Sequence, residues 1–358
     1  MKTMLVLSMG ALLLAGTLSA QTPVPEWQAG VDKVKNLIQS NPAQASEEAG
    51  ELLKGKNKKN VDLVTSVAHV YLDAGKITEA QEYLAMAKKA NNKDPKVSVL
   101  EGDIALAQKN IGQACQLYEQ AIYFDPNCKE AYLKYAQAYK SASPTQAIEK
   151  LEQLKAVDPN CLEADRELAE VYYSGNRFGK AAEMYAKFID TPLATEDDML
   201  KYAFALFLNH DFEKSLQVAQ KGLQKNARHA AFNRLVMYNN TDLKRYEDAE
   251  KAADAFFNAS DRADYSYLDY RYYGALLSAL KKYDKAIIEY GKALDKDDTQ
   301  VDLWREISDA HEMNNNYAEA IAAYRKYYDA LANMIPVRTS LLRTGHIFGF
   351  ARRTACRP

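Results

Sequence analysis

Apolar and aromatic residues in the stretch 270–297 fall at helical spacing. In the first half they stand at Tyr270, Tyr273, Gly274, Leu277 and Leu280, in the second at Ala286, Ile287, Tyr290, Ala293 and Leu294. Both sets follow the i, i+3, i+4, i+7 rhythm of one buried helical face. The polar Lys281-Lys282-Tyr283-Asp284 between them predicts a turn. Gly274 and Ala286 are small enough to let the two helices approach closely, with the aromatics filling the wedge around them.

The same unit recurs along the chain. Residues matching Ala286 are Ala80, Ala114, Ala147, Ala181, Ser215, Ala249 and Ala320, so successive spacings are 34, 33, 34, 34, 34, 37 and 34. Twelve residues before this reference stand Ala68, Gly102, Ala169, Ala203 and Gly274, and four after it Leu84, Tyr118, Leu151, Tyr185, Tyr290 and Tyr324. A two-helix unit at a period of about 34 marks a helical repeat array. Over about residues 61–332 the pattern resembles the tetratricopeptide repeat (TPR) family. Ser215, Met237 and Ser308 depart from its small-residue positions. A short turn at Ser143-Pro144-Thr145 accounts for the spacing of 33, and a long link near Ser260-Asp261-Arg262 for that of 37. The resemblance implies an all-α, right-handed solenoid of about eight repeats, and a non-catalytic protein- or peptide-binding scaffold that uses the concave face of its superhelix.

The array is expected over residues 61–333. Before it, residues 21–60 predict a capping helix pair, with Trp27, Val31, Val34 and Ile38 on one face and Asn41-Pro42 at the joint. Residues 1–20 combine Lys2, an apolar run and Leu18-Ser19-Ala20, the signature of a secretory signal peptide. Export to a periplasmic or envelope location follows as an expectation. Residues 334–358 carry no acid and no repeat period, and are expected to be a disordered basic arm or an end foreign to the array.

Composition is that of an ordinary globular chain, 47% hydrophobic and 26% charged. The net charge of −2 is unevenly spread: setting aside Lys2 and the five tail arginines leaves 40 basic against 48 acidic groups, or −8. That sign argues against nucleic acid as a partner. No stretch after the leader reaches the roughly 18 apolar residues of a spanning helix, so no transmembrane segment is expected. Cys128 and Cys161 begin equivalent helices, too far apart for a disulfide, and no bridge is expected among the four cysteines.

Other chemistry finds little support. Residues 50–57 nearly spell a phosphate-binding loop, but without the final Ser/Thr or a preceding strand. Asp295, Asp297, Thr299 and Glu306 imitate a calcium loop, with Gln300 where the sharp turn needs glycine. The histidines show no ligand spacing. No enzyme, metal or cofactor is expected.

One constellation remains. Arg166, Arg234, Arg271 and Arg305 share the position fifteen residues before the reference, which in TPR proteins faces the concave groove; Leu200 holds it in the fifth repeat. With Phe204, Phe207, Tyr173 and Tyr238 they form the candidate peptide-binding groove. Arginine pairs carboxylates bidentately, so an acidic protein or peptide is one partner the stripe would suit. Glu170 and Asp309, four residues after Arg166 and Arg305, could instead occupy those two in intrahelical ion pairs. Two other functions remain open: a structural subunit stacking in a larger envelope assembly, and a carbohydrate- or wall-binding module. The sequence leaves the oligomeric state open.

Overall fold

The computed structural model describes residues 24–259 and 264–334, and every regular element among them is helical. Residues 1–23, residues 260–263 of the long link and the tail from 335 lie outside the described residues, and with them the expected leader. Contacts divide the chain between Asp158 and Pro159 into two compact units. In the first, α1 (Gln28–Leu37) and α2 (Pro42–Leu52) precede three helix pairs: α3 (Val61–Asp73) with α4 (Ile77–Asn91), α5 (Pro95–Ala107) with α6 (Ile111–Phe124), and α7 (Lys129–Tyr139) with α8 (Pro144–Val157). The second holds five: α9 (Leu162–Ser174) with α10 (Phe178–Phe188), α11 (Glu196–Leu208) with α12 (Phe212–Lys225), α13 (Ala230–Asp242) with α14 (Tyr246–Asp254), α15 (Tyr267–Ala279) with α16 (Tyr283–Lys296), and α17 (Asp302–Met313) with α18 (Tyr317–Met334). The fold is a helical repeat solenoid.

Seven of the eight repeats turn over in the same way. Five residues before the reference, the backbone enters the left-handed region at Gly75, Lys109, Asn176, His210, Lys244, Lys281 and Asn315. The next N–H then closes on a carbonyl five residues back, as from Lys76 to Tyr71 (2.8 Å), Arg245 to Asn240 (2.8 Å) and Asn316 to His311 (2.9 Å). This is the Schellman closure, which satisfies carbonyls the helix end would leave bare. The third repeat lacks it: Ser143 N bonds Tyr139 O at 2.8 Å, and Pro144 starts α8 at once. That is how its turn loses one residue.

Packing within a pair trades volume across fixed positions. Gly102 and Gly274 lie against the rings of Tyr118 and Tyr290, where an added Cβ would sit 2.5 and 2.6 Å from ring carbons. In the sixth repeat Met237 replaces the small residue, and the position four after the reference shrinks to Ala253; both are buried. The serines are also accommodated. Ser215 Oγ donates to Ala203 O at 2.8 Å and accepts from Asn239 Nδ2 at 2.8 Å, while Ser308 Oγ donates to Ala320 O at 2.8 Å. Both hydroxyls bond the backbone of the facing small position, which removes the penalty for burying them.

The long link is filled by aromatics. After α14 the chain makes a single π-turn, Ala255–Ala259. Phe256 is fully buried, and Phe257 stacks on Tyr273 and lies tilted against Tyr265, each at 5.0 Å between ring centroids. Tyr265 OH donates to Phe257 O at 2.9 Å.

Cys115, Cys128 and Cys161 are free thiols, and Cys356 lies outside the described residues. No described helix is long and apolar enough to cross a membrane.

Candidate functional site

First helices of neighbouring repeats touch: α3 with α5, α5 with α7, α11 with α13, and α13 with α15. Three of the four stripe arginines bond an acid on the first helix of the following repeat. Arg166 Nε reaches Asp198 Oδ1 at 3.0 Å. Arg234 grips Asp269 through Nε (2.7 Å) and Nη2 (3.1 Å), and Arg271 grips Glu306 through Nε (3.0 Å) and Nη2 (2.6 Å).

Asp198 and Asp269 are set in place by the start of their own helices. Each is the third helical residue of a capping box: Thr195 N donates to Asp198 Oδ2 at 2.8 Å, and Ser266 N to Asp269 Oδ2 at 2.7 Å. Box formation satisfies helix-end donors and leaves Oδ1 for the Nε of the preceding repeat's arginine, with Arg234 Nη2 also reaching Asp269 Oδ2. Both acids are buried, at 1% and 0% exposure. The box also starts α11 at Glu196, three residues earlier than the apolar run suggests.

The intrahelical pairing expected from Glu170 and Asp309 does not form. Glu170 is taken by Lys201 Nζ (2.9 Å) and Tyr185 OH (2.8 Å). Arg305 is exposed, its Nε 3.9 Å from Asp302; no further first helix follows α17 among the described residues to supply a closer acid. Burial holds the Asp309 carboxyl above its ordinary range, with the charge of Arg305 pulling it back.

The aromatic candidates separate. Tyr238 and Phe207 belong to the core, at 2% and 8% exposure. Tyr238 donates to Asp269 Oδ1 at 2.7 Å and stacks on Tyr272 at 4.0 Å between centroids, with Phe207 5.6 Å from Tyr238. Phenol-to-carboxylate bonding and ring stacking hold them there, which withdraws them from any surface. Leu200, Phe204 and Tyr173 are half-buried, and Leu208 beyond them is exposed.

The first unit carries a cleft of about 330 Å³, lined by Trp27, Thr65, His69, Lys96, Val99 and Glu130 among others. Behind it His69 Nε2 lies 2.9 Å from Asp103 Oδ2, which Lys134 Nζ approaches at 3.0 Å. Sequence reasoning placed Trp27 in a cap and missed its place at this cleft. It also missed Asp198, Asp269 and Glu306, although Thr195-x-x-Asp198 and Ser266-x-x-Asp269 carry the capping-box signal.

The tetratricopeptide repeat profile matches residues 68–128, 136–193 and 274–335, 181 of the 358 residues. No curated protein matches the sequence significantly. Among solved structures, the chain is similar to a tetratricopeptide repeat protein from Parabacteroides merdae, at 14% identity and a TM-score of 0.43, covering 70% of this chain and 98% of that one. It is similar to pilF of Pseudomonas aeruginosa at 15% identity and a TM-score of 0.46, covering 58% and 96%. It is also similar to MamA from Desulfovibrio magneticus at 14% identity and a TM-score of 0.44, covering 49% and 97%. With its profile matched over half the chain and its helices paired at the repeat spacing, this chain belongs to the tetratricopeptide repeat family.

Proposed function

We propose that the protein is a non-catalytic protein-interaction scaffold of the cell envelope, exported by its leader, which docks a partner segment on the first-helix face. Repeats of this family mediate protein interactions, and the observation that carries the finer reading is the state of the stripe. Arg166, Arg234 and Arg271 already hold acids of the next repeat, so the side chains offered between those pairs are apolar: Tyr173, Leu200 and Phe204. Partly exposed aromatics of this kind anchor protein contacts. Arg305, exposed and loosely held, is the stripe arginine with capacity for an acidic group on the partner.

The experiment is a cross-linked pull-down of the exported protein, followed by titration of the captured partner at two salt concentrations. Phe204→Ala should weaken binding with its salt dependence unchanged, and Arg305→Ala should weaken it while flattening that dependence. Melting curves accompany both. Affinity unchanged in both variants overturns this docking surface and favours the stacking-subunit alternative, to which an arginine stripe spent on inter-repeat pairs is equally suited.

A further inference from the structure

The apolar surface of the first helices runs into a charged end. On α11, Leu200, Phe204 and Leu208 follow one another at i, i+4 and i+8, so they share one face of the helix. Leu208 is 43% exposed. Five other repeats hold Asp73, Ala107, Ser174, Asp242 and Ala279 at its position, and the last holds Met313. The repeat therefore folds with a small or polar residue there, and packing does not call for the leucine.

Beside Leu208, between the α9–α10 turn and the end of α11, lies a cleft of about 440 Å³. Phe178 and Leu208 are its apolar walls, Arg177 and Lys180 its charges, and Asn176 and Asn209 its carboxamides. Phe178 meets Tyr173 edge-on, at 5.8 Å between ring centroids. The cleft thus adjoins the surface formed by Tyr173, Leu200 and Phe204.

Both cations are exposed, and neither bonds an acid among the described residues; Lys180 Nζ lies 5.4 Å from the centre of the Tyr172 ring. Two later repeats supply an internal control. Arg245 and Lys282 hold the repeat position of Arg177, and each is bonded to an acid of the preceding second helix, Glu213 and Glu250. The matching positions on α8 are Thr145 and Ile148. Arg177 therefore keeps a charge that its counterparts have neutralised, and no acid lines the cleft to offset it.

That composition selects the occupant. A carboxylate accepts from guanidinium, ammonium and carboxamide N–H groups alike, and the apolar walls call for a hydrophobic side chain next to it. A polyanion fits poorly. Two cations on an array with an excess of acid neither replace the counterions of a nucleic acid nor draw the chain to an anionic membrane.

We propose that this cleft receives the acidic end of the partner segment, whose apolar side chains lie on Leu200, Phe204 and Leu208 while a carboxylate pairs with Arg177 and Lys180. This rests on the docking surface proposed above and adds the chemistry of its partner.

The test probes an array of immobilised decapeptides, randomised among apolar residues at three positions, with the full chain. Each sequence is made with Asp or Asn at one end and both termini blocked, and again with a free C-terminal carboxylate, which separates a side-chain acid from a terminal one. Wild type should hold one of the acid-bearing forms about ten-fold more tightly than the Asn form, and the gap should close as salt is raised. Changing Arg177→Gln and Lys180→Gln together, at exposed positions, should abolish that preference while the Asn forms bind as before and the melting temperature holds. Phe204→Ala and Leu208→Ser should weaken acidic and neutral forms alike. An acid preference that survives the double change, or is missing from wild type, overturns the inference, even where Phe204→Ala still weakens binding and the docking surface stands. Binding indifferent to Phe204→Ala as well removes both readings. A wild-type chain that prefers phosphatidylglycerol vesicles to every peptide also overturns it.

Discussion

Arg234 and Asp269 meet across a repeat boundary in a two-point clasp, with the aspartate side chain wholly buried and the arginine side chain 23% exposed. The same Asp269 accepts from Tyr238 and from Ser266, and the Arg234 guanidinium lies 5.1 Å above the ring of Phe256. One acid thus ties together the first helices of the sixth and seventh repeats, a helix cap and the π-turn.

Breaking such a pair from one side strands a buried charge, which typically costs about 3–5 kcal/mol. We predict a loss of that order for Arg234→Ala, and a similar one for Asp269→Ala, which also removes the cap. Arg305→Ala should change stability by no more than about 0.5 kcal/mol, as exposed substitutions usually do. Urea unfolding of the three variants checks this. Equal, small effects at Arg234 and Arg305 would show that the clasp contributes nothing. Sequence alone placed Arg234 in the candidate peptide-binding groove.

The contrast shows what was legible. Repeat number, helix pairing and the small-residue positions follow from spacing, because each depends on contacts inside one unit whose period is printed in the chain. The partners of Arg166, Arg234 and Arg271 were not legible from that period. They sit 32, 35 and 35 residues on, at positions set by how neighbouring first helices meet. Phe207 and Tyr238 share repeat positions with Tyr173 and Phe204, yet only the first two are core, because Tyr272 of the seventh repeat packs against both.

A second prediction concerns the turns. His210 and Lys244 hold φ of 61° and 59°, a region that side chains enter at a penalty of about 1–2 kcal/mol and glycine enters freely. Glycine also loses more chain entropy on folding, so the net gain is smaller. His210→Gly and Lys244→Gly should each stabilise by about 0.5–1 kcal/mol, and Gly75→Ala should destabilise by about 1 kcal/mol. Thermal melts of the single variants decide it, and a lower melting temperature for both glycine variants would refute the strain argument.

The Ser215–Asn239 pair yields a third. Removing Ser215 Oγ takes from Asn239 Nδ2 one of its two acceptors, Ser215 Oγ and Leu235 O, at a fully buried position. Ser215→Ala alone should therefore destabilise by about 1–3 kcal/mol. With Asn239→Leu the losses should not add, and a double-mutant cycle should give a coupling of at least about 0.5 kcal/mol. Additive losses would mean that the two residues sit together without depending on each other.

The last prediction is a pH dependence in the first unit. Burial by itself pushes the Asp103 carboxyl up, but the bond from His69, the charge and bond of Lys134 and the bond from Tyr118 outweigh it, and the group ends below its ordinary value. The sign follows from linkage. A carboxylate whose folded pKa is depressed contributes stability above its unfolded value, about 3.9, and that contribution is lost as the pH falls through the lower folded value. Asp103 should therefore contribute fully at pH 5–7 and progressively less below about pH 4. Asp103→Asn cannot carry the charge, so it should be destabilised by about 3 kcal/mol at neutral pH. The gap to wild type should narrow as both are taken toward pH 3. The measurement is the difference in unfolding free energy between wild type and Asp103→Asn across pH 7 to 3, which cancels the titration of carboxylates common to both. A gap that stays constant through the acid range would show that the charge of Asp103 does not stabilise the repeat boundary it joins.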